Sequence, residues 1–235
     1  MQFIKSLIFY LLFYFVVIVV LIIAIPTLIM PKKFTLLFGK FLANLIILVL
    51  KVTLNVKVFF HGIENLKKTE KFFVASAHQS LLETFILQSP LDFPIFILKK
   101  ELLKIPIFGW QLKKIGSISI DRNKITKDNL GFSDQIKKHT NNSNRPIIIF
   151  PQATRVDVLD RSPFKKGVKR IYEELNIYCQ PVALNSGSVW PKNGKLKSNK
   201  ILTVSILDPI SPGMNSDEFI NVLEKNIYNE IDKLV

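Results

Sequence analysis

The chain carries three histidines and one cysteine in 235 residues, so few side chains can move a proton near neutral pH. One of them has an acid at a useful interval. The run Phe72-Phe-Val-Ala-Ser-Ala-His-Gln-Ser-Leu-Leu-Glu-Thr84 takes a β-rich stretch into a helical one, with His78 at the junction and Glu83 five positions on. Within one continuous helix, residues five apart are about 140° out of phase and do not meet. At a strand-to-helix turn, His78 precedes the regular helix and Glu83 falls in its first turn. The carboxylate can then reach back to the imidazole and fix its tautomer. An imidazole held this way is a general base able to take a proton from an alcohol. A second reading fits the same residues: Ser80-Leu-Leu-Glu83 is a capping box in which Glu83 closes on the Ser80 backbone N–H. Spacing leaves both open. The sequence has no G-x-S-x-G elbow, so Ser80 is a poor hydrolase nucleophile, and a helix N-terminus here favours a phosphate or a developing oxyanion.

Three further blocks follow: Gly116-Ser-Ile-Ser-Ile-Asp-Arg122, Phe150-Pro-Gln-Ala-Thr-Arg155 and Pro181-Val-Ala-Leu-Asn-Ser186. The spacing His78-x-x-x-x-Glu83 resembles the NHxxxxD motif of the glycerolipid acyltransferases. The other blocks resemble that family's GxxFIxR, FPEGTR and final Pro-Val blocks, in the family's order. One such match is weak; four in order across residues 78–186 are specific. The apolar N-terminus suits the branch that acylates 1-acylglycerol 3-phosphate.

The resemblance implies transfer of a fatty acyl group from a thioester, acyl-CoA or acyl carrier protein, to the 2-hydroxyl of the lysophospholipid acceptor. The product is phosphatidic acid, a step of phospholipid synthesis, and neither metal nor resident cofactor is expected. By the same resemblance His78 is the base, Glu83 orients it, Arg122 and Arg155 bind the acceptor phosphate, and Gln152 and Thr154 line the acceptor site. Arginine suits that work because its planar fork bonds phosphate oxygens in pairs. Glu83 stands for the family's Asp, Gln152 for its Glu, Ala153 for its Gly, and Ser119 where an aromatic is common. The Ala153 change matters where the backbone needs positive φ or close approach to a ligand. Two alternatives use the same residues: an acyltransferase for another lysolipid, or a lysolipid-binding membrane protein without catalysis.

Other signals are bland. His61 and His139 have no acid at a convincing spacing. No Cys/His cluster has zinc spacing, and neither a P-loop nor a dinucleotide fingerprint occurs. The segment 105–110, Ile-Pro-Ile-Phe-Gly-Trp, reads as an apolar turn, either the wall of an acyl tunnel or ordinary core. With 32 Lys+Arg against 18 Asp+Glu the formal charge is +14, and a lysine-rich stripe covers residues 99–127. An anionic membrane surface accounts for it; nucleic acid does not, as no nucleic-acid-binding signature is present.

Elements must bring the four blocks together. Seven short β-rich runs, at 56–60, 72–75, 95–98, 118–120, 147–150, 181–184 and 202–207, alternate with helical segments at 80–88, 128–139, 165–176 and 216–234. The expectation is an α/β fold, a single mixed-sheet acyltransferase domain at 51–235 flanked by helices. The last helix reads as a packing or lid element. Ahead of it, residues 1–50 read as a membrane anchor, a hydrophobic helix or helical hairpin. The run 7–25 is uncharged and about long enough to cross a 30 Å hydrocarbon layer, whereas 34–50 reads as an interfacial or re-entrant helix. Lys5, Lys32, Lys33 and Lys40 are the only charges among the first 50 residues. Most positive charge follows the run, so the catalytic domain is expected to face the cytoplasm. Disorder is excluded by 49% hydrophobic content and a disulfide scaffold by the single Cys179.

Overall fold

A computed structural model describes residues 2–67, 69–120 and 128–235. The two apolar runs form helices α1 (Gln2–Ile23) and α2 (Lys32–Leu54), packed on one another as a hairpin. Pro26 breaks the first run into a short 3-10 turn at Ile25–Leu28, since proline supplies no N–H to continue a helix. The second run, expected as an interfacial or re-entrant piece, makes a continuous helix of 23 residues. It stops at Asn55, which takes the left-handed conformation (φ 51°).

Helix α1 lies along the body of the protein instead of projecting from it. Near its start Gln2 Nε2 donates to the Leu196 carbonyl at 2.7 Å. Near its end Gln111 Nε2 donates to the Leu21 carbonyl at 3.0 Å, and Lys114 Nζ to that of Leu28 at 2.7 Å. Between them Phe9 and Phe13 are buried against Trp190, with ring centroids 5.4 and 5.3 Å apart.

All seven β-rich runs become strands: β1 (Lys57–His61), β2 (Phe72–Ser76), β3 (Ile95–Lys99), β4 (Ile118–Ile120), β5 (Ile147–Ile149), β6 (Tyr178–Leu184) and β7 (Ile201–Ile206). They form one mixed sheet in the order β1-β7-β6-β2-β5-β3-β4. The β6–β7 pair is antiparallel and the other pairs are parallel. Central β2 and β5 have no exposed residue (Phe73–Ala75 and Ile147–Ile149 are buried), as strands covered on both faces require.

The remaining helices are α3 (Glu83–Ile86), α4 (Phe108–Ile115), α5 (Asp128–Asn142), α6 (Lys166–Leu175) and α7 (Ser216–Leu234). Two differ from expectation. The helix expected at 80–88 is regular only over α3, because Glu83 and the Ser80 hydroxyl take the preceding backbone N–H groups and hold a turn. The apolar turn at 105–110 runs into α4, where Gly109 is required: a Cβ there would sit 2.3 Å from the Leu103 carbonyl oxygen. Helix α7 begins at Asn215, whose side chain accepts from the Asp217 and Glu218 amides, a cap worth about 1 kcal/mol. It buries the stripe Phe219, Leu223, Ile227 and Ile231, each contributing about 1.5–3 kcal/mol.

This topology decides where the chemistry sits. Strands β6, β2 and β5 are adjacent and parallel, so their carboxyl ends lie side by side. The loops leaving those ends carry Asn185 and Ser186, His78, and the block from Phe150 to Arg155, at the place where α/β sheets hold their ligands.

Candidate active site

The two readings of Glu83 are both satisfied, one by each carboxylate oxygen. Oε2 lies 2.7 Å from His78 Nδ1. Oε1 accepts the backbone N–H of Ser80 at 2.8 Å and of Gln79 at 3.1 Å, and also the Ser186 hydroxyl. Glu83 is fully buried, so this set of donors is what makes a carboxylate tolerable there. A carboxylate can only accept, which puts the proton of a neutral imidazole on Nδ1 and leaves Nε2 as the basic nitrogen. The amides of Gln79, Ser80 and Leu82 are spent on Glu83 and the Ser80 hydroxyl. Those three are therefore not available to a developing oxyanion.

The imidazole is also held through one ring face, and the His78 backbone through both of its polar groups. Its ring stacks on Phe150, with centroids 4.0 Å apart and planes 17° apart. Its backbone N–H donates to Gln152 Oε1 at 3.0 Å, and its carbonyl accepts the Val156 N–H at 2.9 Å. The 152–156 loop is thus strapped around His78, and Arg155 stands inside the strap. The Gln152 amide oxygen does what a carboxylate oxygen could do there, while among the described residues its buried Nε2 has no hydrogen-bond partner in good geometry. Ala153 adopts φ 60°, so this position does need the left-handed region that glycine enters freely.

His78 contacts one lining residue of each of two cavities, Phe150 through its ring and Gln152 through its backbone N–H. Phe150 lines an apolar one of about 630 Å³, enclosed by Phe13 and Val17 of α1, Phe38 and Leu42 of α2, and Phe85 and Phe96 of the body. Gln152 lines a polar cleft of about 860 Å³. One wall of the cleft carries Thr154, Arg155, Asp157, Asp160 and Lys165; the other is the 191–197 loop. Lys192 Nζ crosses between them to Thr154 Oγ1 at 3.4 Å. The hydroxyl and N–H of Ser162 hold the Asp160 carboxyl below its usual range, so that wall keeps an anion among its cations.

Gln152, Thr154 and Arg155 therefore share the cleft beside the His78–Glu83 pair. Arg122 lies outside the described residues. The sequence reading missed Gln79, which ties the dyad loop to the end of β6 through the Leu184 carbonyl (2.9 Å) and the Gly187 N–H (3.0 Å). It also missed the role of Ser186, although Ser186 closes the Pro-Val block, and the lysines of the 191–197 loop. Among the described residues no group of three or more His, Cys, Asp or Glu is placed to hold a metal ion.

The comparisons with known proteins agree with the blocks. A family model described as Acyltransferase matches residues 57–185. Among curated relatives, a 1-acyl-sn-glycerol-3-phosphate acyltransferase of Pseudomonas aeruginosa is 29% identical over 169 residues, covering 71% of this chain and 63% of the relative. Proteins of that name from Helicobacter pylori and Saccharomyces cerevisiae are each 32% identical, covering 65% and 79% of this chain and 65% and 62% of the relatives. The chain thus spans a little under two thirds of the length of these relatives. The crystal structure of the 1-acyl-sn-glycerophosphate acyltransferase PlsC from Thermotoga maritima superposes with a TM-score of 0.81 at 22% identity, covering 100% of this chain and 98% of that one. The α/β fold expected from the sequence is the fold of that structure.

Proposed function

The chain belongs to the acyltransferase family, and from that premise we propose that it transfers a fatty acyl group from a thioester to the 2-hydroxyl of 1-acylglycerol 3-phosphate, forming phosphatidic acid. The relatives named above carry that activity in their names. The observation that carries the reading is the 2.7 Å contact between His78 Nδ1 and Glu83 Oε2, on a histidine strapped by the loop that bears Arg155.

The acceptor phosphate pairs with Arg155, and with Arg122 by the family resemblance. Its 2-hydroxyl then lies against His78. His78 Nε2 takes the hydroxyl proton as the oxygen attacks the thioester carbonyl, and Glu83 stabilises the imidazolium that forms. The tetrahedral intermediate collapses with cleavage of the C–S bond. The departing thiolate takes the proton back from His78, and no acyl-enzyme forms.

The apolar cavity suits an acyl chain, and nine of its 24 lining residues come from α1 and α2. Both helices are long and apolar enough to cross a membrane, and their apolar stretches are mostly not buried within the protein. Because both ends of α1 are bonded to the body, the hairpin is read as seated in one leaflet, with the body on the cytoplasmic, anionic surface. A lipid chain can then pass from bilayer to cavity without crossing water. The test is acyl transfer from acyl-CoA and from acyl carrier protein to lysophosphatidate by wild type, His78→Ala and Arg155→Ala. Wild-type transfer lowered about 10²–10⁴-fold by His78→Ala, with Arg155→Ala raising the acceptor KM, is expected. Transfer at the wild-type rate in His78→Ala removes the mechanism.

A further inference from the structure

The acceptor phosphate employs one wall of the polar cleft. The opposite wall is basic as well and has no assigned ligand: Lys192, Lys195 and Lys197 all line it, and among the described residues none of the three is in an ion pair with a carboxylate. The loop that bears them is anchored. Leu196 is buried, and its carbonyl receives Gln2 Nε2 from the start of α1. The Lys197 N–H donates to the Val189 carbonyl at 2.9 Å. Three cations are thus presented from a fixed base toward the Thr154–Arg155 wall, and Lys192 reaches it.

We infer that the lysine wall at 191–197 is a subsite for the phosphate of the donor's pantetheine arm, so that one cleft holds two phosphates on opposite walls. This rests on the acyl-transfer reading above. The cleft, at about 860 Å³, is of the size that holds a whole cofactor-like ligand, far beyond a glycerol phosphate headgroup. A thioester donor has one apolar and one anionic end. With its acyl chain in the Phe13–Phe85 cavity and its carbonyl at His78, the thiol arm leaves into the polar cleft. That arm ends in a phosphate ester in both coenzyme A and acyl carrier protein. The division of labour follows cation chemistry. A planar guanidinium suits the terminal phosphomonoester of the acceptor, while flexible ammonium groups act as point charges on the phosphate of a longer, mobile arm.

The experiment uses the full chain in detergent micelles and titrates 4′-phosphopantetheine and pantetheine by calorimetry, for wild type and for the K192A/K195A/K197A variant. Wild type is expected to bind the phosphorylated arm on the order of tenfold more tightly, since charge-assisted bonds are worth about 1.5–3 kcal/mol. The variant should lose that preference while its affinity for pantetheine is unchanged. Steady-state transfer should show the donor KM raised on the order of tenfold and the acceptor KM within about twofold. Coenzyme A and holo-acyl carrier protein, titrated in parallel, identify the source by which one loses more affinity in the variant. A wild type indifferent to the phosphate overturns the inference. So does a variant whose acceptor KM rises in place of the donor's, because the wall then serves the acceptor. Phosphate-dependent binding without acyl transfer leaves the subsite standing and strikes the catalytic reading alone.

Discussion

At the scale of single residues, Glu83 shows how one side chain serves structure and chemistry together. Its Oε1 organises the turn and its Oε2 the imidazole, so the two functions separate by charge. Glu83→Gln keeps an oxygen for the turn but loses the charge that stabilises an imidazolium. We expect a folded protein with kcat reduced at least about tenfold, and His78→Ala to cost about 10²–10⁴-fold, the usual worth of general base catalysis; steady-state acyl transfer beside circular dichroism checks both. Ala153 offers the opposite case, a residue held at φ 60° where the family's block has glycine. The left-handed region costs an L-residue about 1–2 kcal/mol and glycine's extra freedom costs about 0.5–1. Ala153→Gly should therefore stabilise by up to about 1 kcal/mol, read as a rise in Tm. The dyad was legible in the sequence because its partners are five residues apart. Ser186 was not: 103 positions separate it from Glu83, and the pairing of β2 with β6 brings them together.

At the scale of elements, the seven strands were legible because each is a short β-branched or aromatic run between turn residues, as was a helix at 80–88, though not that it is regular only over the four residues of α3. Helix α4 was not legible, because Pro106 and Gly109 obscure its start. Of the two roles read for the last helix, packing or lid, α7 takes the packing one. It buttresses the 161–164 segment at the edge of the polar cleft: Tyr228 donates to the Ser162 carbonyl at 2.5 Å, Glu224 Oε2 accepts the Phe164 N–H at 2.8 Å, and Asp232 pairs with Arg161. Burial pushes the Tyr228 phenol up to about 12, with Gln152 beside it acting in the other direction, so it remains a donor at any working pH. Tyr228→Phe is expected to raise the acceptor KM several-fold and leave the donor KM unchanged, a loss of about 1 kcal/mol of loop support. Asp232→Ala should do less, because its carboxylate is largely exposed and such pairs contribute about 0–1 kcal/mol. A second contact lies beside Gly116, where Lys32 at the start of α2 and His139 of α5 come close. Burial, then Lys32, Arg145 and Lys138, hold the His139 imidazole below its ordinary range. The fold therefore favours neutral His139, and the stability this brings is full above the unfolded value of about 6.5 and is lost as pH falls through the lower folded value. Tm should fall between pH 7 and pH 5.5, and less steeply in His139→Asn.

At the scale of the whole molecule, two forces can hold the protein on a bilayer, and they differ in salt dependence. The lysines of the body and hairpin attract anionic lipid at about 1 kcal/mol for each residue near the surface, over a Debye length of about 8 Å in physiological salt. The hairpin contributes apolar area instead. Phe3, Leu11, Phe15, Ile18, Ile22 and Ile29 are each more than half exposed, and each adds about 1.5–3 kcal/mol when it enters hydrocarbon. The sum of such residues exceeds what the nearby lysines supply, so wild type is expected to remain on anionic vesicles in 1 M salt. Phe15→Asp combined with Ile22→Asp removes two of those contributions and places two charges in the apolar face. These side chains, 63% and 51% exposed, take little part in the core, so Tm should change by no more than a few degrees. The variant should still bind anionic vesicles at low salt through its lysines and be released at 1 M, where co-sedimentation reads the difference. Release of wild type by salt alone would assign the membrane contact to the basic body, and the exposed face of α1 would then need another partner.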